Sequence, residues 1–147
     1  MIQHRLRSDK KGSTTVEFAL VSLVLCLVFA AILETGILWW LKSGMQLTAS
    51  MTARCGAIGY TYGAANFPCT STSTTQNYAV VTSQSWLLPN MITTANVVVN
   101  GPVSNCNGLA GSFFSVTLTS SYFSFLPPPL GGSSPLMTSA CFPMSGS

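Results

Sequence analysis

The sequence predicts an α+β fold: a long N-terminal helix, transmembrane in its first part, then a small disulfide-stapled domain with a short helix and a three-stranded antiparallel sheet. Three observations carry this expectation. An apolar, proline-free run extends from Val16 to Leu41, long enough for a membrane span. Cys55, Cys69, Cys106 and Cys141 are spread over the remainder, as in a small exported domain with a thin core. Phe114, Val116, Leu118, Ser120 and Tyr122 alternate with Ser115, Thr117, Thr119 and Ser121, the period of two of a half-buried strand. The expected divisions are a basic leader at residues 1–12, a long helix at 13–57 and an extracytoplasmic α+β domain at 58–147.

Composition frames the reading. The chain has 147 residues, enough for one small domain plus a membrane segment. Mean hydropathy is +0.46. Only 6% of residues are charged, against roughly 25% in a soluble globular protein. His4, Arg5, Arg7, Asp9, Lys10 and Lys11 crowd the first twelve positions. Glu17 and Glu34 are then balanced by Lys42 and Arg54, and from Cys55 to Ser147 there is no Asp, Glu, Lys, Arg or His. The net charge of +3 therefore belongs to the N-terminal tip. It makes no folded basic patch, so nucleic acid is not an expected partner.

The N-terminal segment allows three readings. As a plain span, Val16 to Leu33 is 18 residues with Glu17 as the one charge, the lower limit for crossing a bilayer. Trp39, Trp40 and Lys42 then form an interfacial belt, the early cations stay in the cytoplasm and the C-terminal part faces outward. As a secretory signal, cleavage after Val28-Phe29-Ala30 leaves a mature chain that begins with a greasy Trp-Trp segment. A lipoprotein signal ending at Cys26 has Leu25 where a small residue is wanted. The third reading makes Gly12 the last residue of a short leader removed on the cytoplasmic side, ahead of the hydrophobic helix.

Gly12-Ser13-Thr14-Thr15-Val16-Glu17-Phe18 resembles the prepilin-peptidase site of type IV pilin-like proteins: a basic leader ending in Gly, then a hydrophobic helix with Glu as its fifth mature residue. Val16-Glu17-Phe18-Ala19-Leu20-Val21, Ile32-Leu33-Glu34-Thr35-Gly36 and the pair Ala53-Arg54 extend the match. Together they resemble the TadE-like family of minor pilins or pseudopilins, which belongs to the Tad (Flp, type IVb) pilus system. The resemblance is close over about residues 11–57 and looser beyond. Ser22 departs from it, since many relatives carry a proline inside the helix; that puts the usual kink in doubt but not the cleavage site.

The resemblance implies cleavage between Gly12 and Ser13 by a prepilin peptidase. It also implies assembly roles for Glu17, Phe18 and Glu34. A carboxylate within a bilayer costs a few kcal/mol, and leader removal places an α-amine on Ser13. In pilin-like assemblies the Glu pairs with the N-terminal amine of a neighbouring subunit, which offsets desolvation and sets the axial register. The competing reading leaves Glu17 idle at the headgroup boundary. Glu34 falls about 27 Å beyond Val16 at 1.5 Å per residue, near the outer interface, where solvation and a partner contact are both open. Lys42 is two turns later, too far for an i,i+4 pair. Ser22, Ala30, Ala31 and Gly36 are small enough for close helix approach.

No proline interrupts residues 42–54, and Met45, Ala49 and Thr52 recur near the helical period. A continuous helix of roughly 40 residues, about 60 Å, is expected, with Gly56 and Gly59 as stop signals. Cys26 behaves as a small hydrophobe in the apolar run. The four exported cysteines allow three pairings. Cys55–Cys69 with Cys106–Cys141 is favoured, because Cys69 is nearest the helix end and Cys141 lies on an expected strand. Zinc is disfavoured, since the spacings are not paired CxxC and no His or carboxylate is at hand.

Downstream, Thr70 to Thr75 reads as a polar loop. Gln76 to Leu88 reads as a short helix ending at Pro89, with Tyr78, Val81, Ser85 and Leu88 near helical spacing. Asn96 to Asn100 reads as a strand turned by Gly101-Pro102, and Leu136 to Pro143 as the last strand. The apolar, proline-rich loop Phe125–Leu136 is a surface loop or a docking element.

The exported part offers no general acid or base and no base to activate a Ser or Cys nucleophile, and the one His is His4. No enzymatic activity, cofactor or metal is expected. The expected function is a minor pilin or pseudopilin that acts in pilus assembly or priming and so in adhesion. Its expected partners are prepilin peptidase, other pilin subunits, the Tad inner-membrane machinery and membrane lipid. The alternative is a permanently anchored single-span envelope protein with a disulfide-stabilised interaction domain. A secreted neutral adhesive domain is the third option.

Overall fold

The computed structural model describes residues 11–62, 67–87, 89–106, 108–123 and 133–144. Its elements run α1 (Lys11–Tyr62), α2 (Thr72–Gln84), a 3-10 turn (Thr94–Asn96), β1 (Val97–Cys106), β2 (Leu109–Phe123) and β3 (Ser133–Pro143). The chain divides into two compact units, residues 1–36 and 37–147. The leader ahead of Lys11 lies outside the described residues, as does most of the expected loop Phe125–Leu136. The architecture is the expected one: a long helix, a short helix, a three-stranded antiparallel sheet and two disulfides.

α1 has 52 residues, longer than the roughly 40 expected from periodicity. It does not stop at Gly56 or Gly59, as the sequence suggested, but runs on to Tyr62. The reason is packing. A Cβ at Gly56 would fall 2.1 Å from Phe114 Cε1, and one at Gly59 would fall 2.2 Å from the Cys69 carbonyl oxygen. These glycines let sheet and loop press onto a helix that continues through them. Gly44 does the same for Leu87, whose Cδ2 lies 2.8 Å from the position a Cβ would take.

Within the second unit the helix buries a stripe at i+4 steps: Leu41, Met45, Ala49, Ala53 and Ala57. Thr48 and Thr52 lie in the same buried face, and their hydroxyls donate to the carbonyls of Gly44 (2.9 Å) and Thr48 (2.7 Å). Back-bonding of this kind satisfies a buried hydroxyl without a tertiary partner. The three alanines keep the helix surface low. Val97, Phe114, Val116, Leu118 and Ala140 of the sheet complete the core, with Ala79, Leu87 and Ile92 from α2 and the following segment. Each large side chain so buried contributes roughly 1.5–3 kcal/mol.

The sheet order is β1-β2-β3, antiparallel throughout. Alternation in β2 puts Phe114, Val116, Leu118 and Tyr122 on the buried face, as the sequence pattern required. β1 does not end at Gly101-Pro102 as expected. It passes through them with register shifts between Asn100 and Val103 and between Val103 and Asn105. A register shift on an edge strand accommodates a proline, which has no N–H to give to the ladder. β3 pairs with β2 without a shift from Ser133 to Pro143, three residues earlier than Leu136.

α2 starts and ends earlier than expected. Thr70–Thr75 is not wholly a loop, because Ser71 caps a helix that begins at Thr72. Ser71 N donates to Thr74 Oγ1 at 2.9 Å and Thr74 N donates to Ser71 Oγ at 3.3 Å. This is a capping box with threonine in place of the usual glutamate or glutamine. The helix ends at Gln84, and its buried face is Thr75, Ala79 and Ser83 rather than the expected face of Tyr78, Val81 and Ser85; Leu88, the fourth residue of that expected face, lies outside the described residues. Val81 is 65% exposed. Gln76 Nε2 donates to Val97 O at 2.9 Å and ties α2 to β1.

Both favoured disulfides are formed. Cys55–Cys69 joins the last turns of α1 to the segment leading into α2, and Cys106–Cys141 joins the end of β1 to β3. Thr138 Oγ1 also donates to Gln46 Oε1, so β3 is fastened to α1 as well as to β2.

Candidate functional site

The first unit inverts the pattern of a soluble protein. Every described side chain from Thr14 to Leu33 is exposed except Ser22, which is half-buried. Phe18 is 74% and Leu33 66% exposed. So much apolar surface requires a non-aqueous surrounding or other chains. The helix is long and apolar enough to cross a membrane. The backbone runs helical through the site of the expected proline, and Ser22 Oγ donates to Ala19 O at 3.0 Å. A serine there removes no helical hydrogen bond, whereas a proline would.

Gly12 and Ser13 belong to the first turn of α1. Glu17 and Phe18 follow within two turns, both exposed on the helix surface. Ala30, Ala31 and Gly36 are exposed too, and Thr35 Oγ1 donates back to Ala31 O at 2.7 Å. Cys26 is a free, exposed cysteine within the apolar stretch.

Glu34 is the exception. It is 8% exposed, and its Oε2 has no hydrogen-bonding partner. Apolar neighbours in sequence lie open while the acid is buried. Trp39 and Trp40 are exposed at 72% and 64%, and Lys42 and Arg54 are exposed as well. An exposed Trp pair followed by a lysine suits a headgroup region.

In the second unit a cavity of about 310 Å³ opens between Tyr60, Cys69, Ser71, Thr75, Val99 and Phe114. Its lining carries hydroxyls and aromatic faces and no acid–base pair. Among the described residues no group of three His, Cys, Asp or Glu side chains is placed to hold a metal. What sequence reasoning missed is the burial of Glu34 and the Gln46–Thr138 bond, which joins residues 92 positions apart. No periodic signal in one sequence reports such a pairing.

No curated protein matches the chain, and no solved structure does. The model of the family described as TadE-like protein matches residues 12–54, a stretch that runs from the glycine of the expected leader boundary through Glu17 and Glu34 to Arg54.

Proposed function

We propose that this chain is a minor pilin or pseudopilin of a Tad (Flp) pilus. The TadE-like match supports a Tad pilus-associated protein with a membrane-anchoring helix, and the finer role is our reading. The single observation that carries it is the helix surface. Gly12-Ser13 opens a helix whose apolar side chains lie bare from Val16 to Leu33, with one exposed acid, Glu17, four residues after Ser13.

In this reading prepilin peptidase cleaves between Gly12 and Ser13 on the cytoplasmic side. The mature chain then stays in the inner membrane through α1, with its domain outside. Once the leader is gone, the Ser13 α-amine of one subunit meets the Glu17 carboxylate of its neighbour. That pairing offsets the desolvation of both groups, and the exposed apolar surface passes from lipid to other pilin helices. The protein primes or assists pilus assembly and thereby adhesion, working with other pilin subunits and the Tad inner-membrane machinery. It acts by binding rather than by catalysis.

The N-terminal sequence and intact mass of the protein from native membranes test this. A chain that starts at Ser13 is the expected result. A start at Met1 overturns the pilin-type reading and leaves a permanently anchored envelope protein. A start near Ala31 makes it a secreted protein.

A further inference from the structure

The chain has three tryptophans, and all three lie in the second unit, at the end where α1 enters it. Trp39 and Trp40 are on α1 itself. Trp86 follows α2, and its carbonyl oxygen lies 3.5 Å from the position a Cβ on Gly44 would take. Gly44 is one turn beyond Trp40. Trp39 and Trp40 are 72% and 64% exposed, and Trp86 is 46% exposed.

Two contacts fix how the sheet runs against the helix. Phe114 meets Gly56. Thr138 donates to Gln46 and pairs across the sheet with Leu118. Gly56 to Gln46 is about 15 Å back along α1, and Phe114 to Leu118 is about 13 Å forward along β2. β2 therefore descends α1 toward the membrane end of the helix. Tyr122, four residues further on, comes level with about Ile37 at the same pitch. The packing agrees: Ile37 and Leu38 are half-buried against the domain core, and Leu41 is part of it. One face of α1 is covered by the domain at the level where Trp39 and Trp40 are bare.

We propose that this end of the second unit rests among the headgroups of the bilayer that α1 enters, with Trp86 as its contact residue. The inference rests on the membrane-anchored reading and extends it from the helix to the domain. Exposed Trp39 and Trp40 beside Lys42 mark the headgroup level, and what stands level with them stands there too. A lipid surface, rather than another protein, is the assigned partner because Trp86 continues the tryptophan belt of α1 onto the domain. An indole suits that position, with an apolar body and one N–H for the wet side. From Cys55 onward the chain has no charged side chain, so settling the domain there desolvates no ion.

The test uses the full-length chain in phosphatidylcholine vesicles, as two single-tryptophan variants. Trp39→Phe/Trp40→Phe keeps Trp86, and Trp40→Phe/Trp86→Phe keeps Trp39. Fluorescence is read with lipid brominated high on its acyl chains and, separately, with aqueous iodide. Trp86 should be quenched by the brominated lipid to within about twofold of Trp39, and it should be shielded from iodide. Quenching of Trp86 by iodide and not by lipid, with Trp39 still quenched by lipid, overturns the inference and leaves the anchored helix. Escape of Trp39 from lipid as well removes the anchored reading and the inference with it. Leu109, at the opposite end of β2, is 65% exposed. With the three native tryptophans changed to Phe, Leu109→Trp should answer to iodide alone; lipid quenching equal to that of Trp86 also overturns the inference. Where a Phe variant fails to accumulate, a nitroxide on the exposed Ser85→Cys, in a Cys26→Ser background, reads the same depth. Its relaxation should respond to oxygen more than to a water-soluble nickel chelate, and the reverse order overturns the inference.

Discussion

Gly56 packs directly against the ring of Phe114: a Cβ on the glycine would fall 2.1 Å from Cε1 and 2.4 Å from Cζ. Gly101 of β1 meets the same ring, with a Cβ there 2.5 Å from Cδ2. Phe114 is thus held by a glycine of the helix and a glycine of the sheet, and it is buried as a result. Gly56→Ala should destabilise the second unit by about 1–3 kcal/mol through overpacking. Gly36→Ala, where a Cβ meets nothing within 4 Å, should be neutral or slightly stabilising through helix propensity. Denaturant unfolding of the full chain in detergent measures both.

The two disulfides should differ in weight. Cys106–Cys141 closes 35 residues of chain and Cys55–Cys69 closes 14. The chain-entropy relation gives about 4 kcal/mol for the longer loop and about 3 for the shorter. The paired variant Cys106→Ala/Cys141→Ala should lower the unfolding midpoint further than Cys55→Ala/Cys69→Ala. The reverse order would show that strain or denatured-state structure outweighs loop closure.

Core and surface of the sheet should respond differently to truncation. Leu118 is fully buried, and Leu118→Ala should cost about 2–5 kcal/mol. Met137 on β3 is 70% exposed, and Met137→Ala should stay within about 0.5 kcal/mol. Thermal unfolding of both variants, each with its disulfides intact, makes the comparison.

The isosteric change Glu17→Gln removes the carboxylate charge while keeping its shape. In the pilin-type reading it should leave cleavage after Gly12 intact and strongly reduce incorporation into surface filaments, scored by immunoblot of sheared surface fractions. Full incorporation of Glu17→Gln would leave Glu17 idle in assembly, as in the headgroup-boundary reading.

From Cys55 onward the chain has no charged side chain, so screening has little to act on there. Melting of the second unit should shift by less than about 0.5 kcal/mol-equivalent between low and moderate sodium chloride. A larger shift would assign Lys42 or Arg54 a stabilising ion pair in the folded domain.

Some features were legible because the physics behind them is local. An apolar run long enough to span a bilayer is visible in one dimension, and so is the alternation of β2 from Phe114 to Tyr122. The pairing of Cys55 with Cys69 followed from their nearness along the chain. The basic, glycine-ended start and the acid at Glu17 carried the family resemblance, and the match over residues 12–54 falls on that segment. The start of α2 was less legible, because the Ser71–Thr74 capping box uses a threonine and looks like part of a polar run. Its buried face was misjudged because Thr75 and Ser83 are polar by type and buried by position.

By itself, then, the sequence determined the membrane-length helix, the nearly uncharged stretch after it and the strand alternation of β2. Each depends on composition and period within one stretch of chain. Only the tertiary structure decided that Gly56 and Gly59 continue a helix rather than end it, that β1 runs through Gly101-Pro102, and that Glu34 is buried. The first two outcomes depend on what approaches each residue from far along the chain. A glycine that meets Phe114 or the Cys69 carbonyl is there for the space it leaves, and that space exists only once sheet and helix have packed.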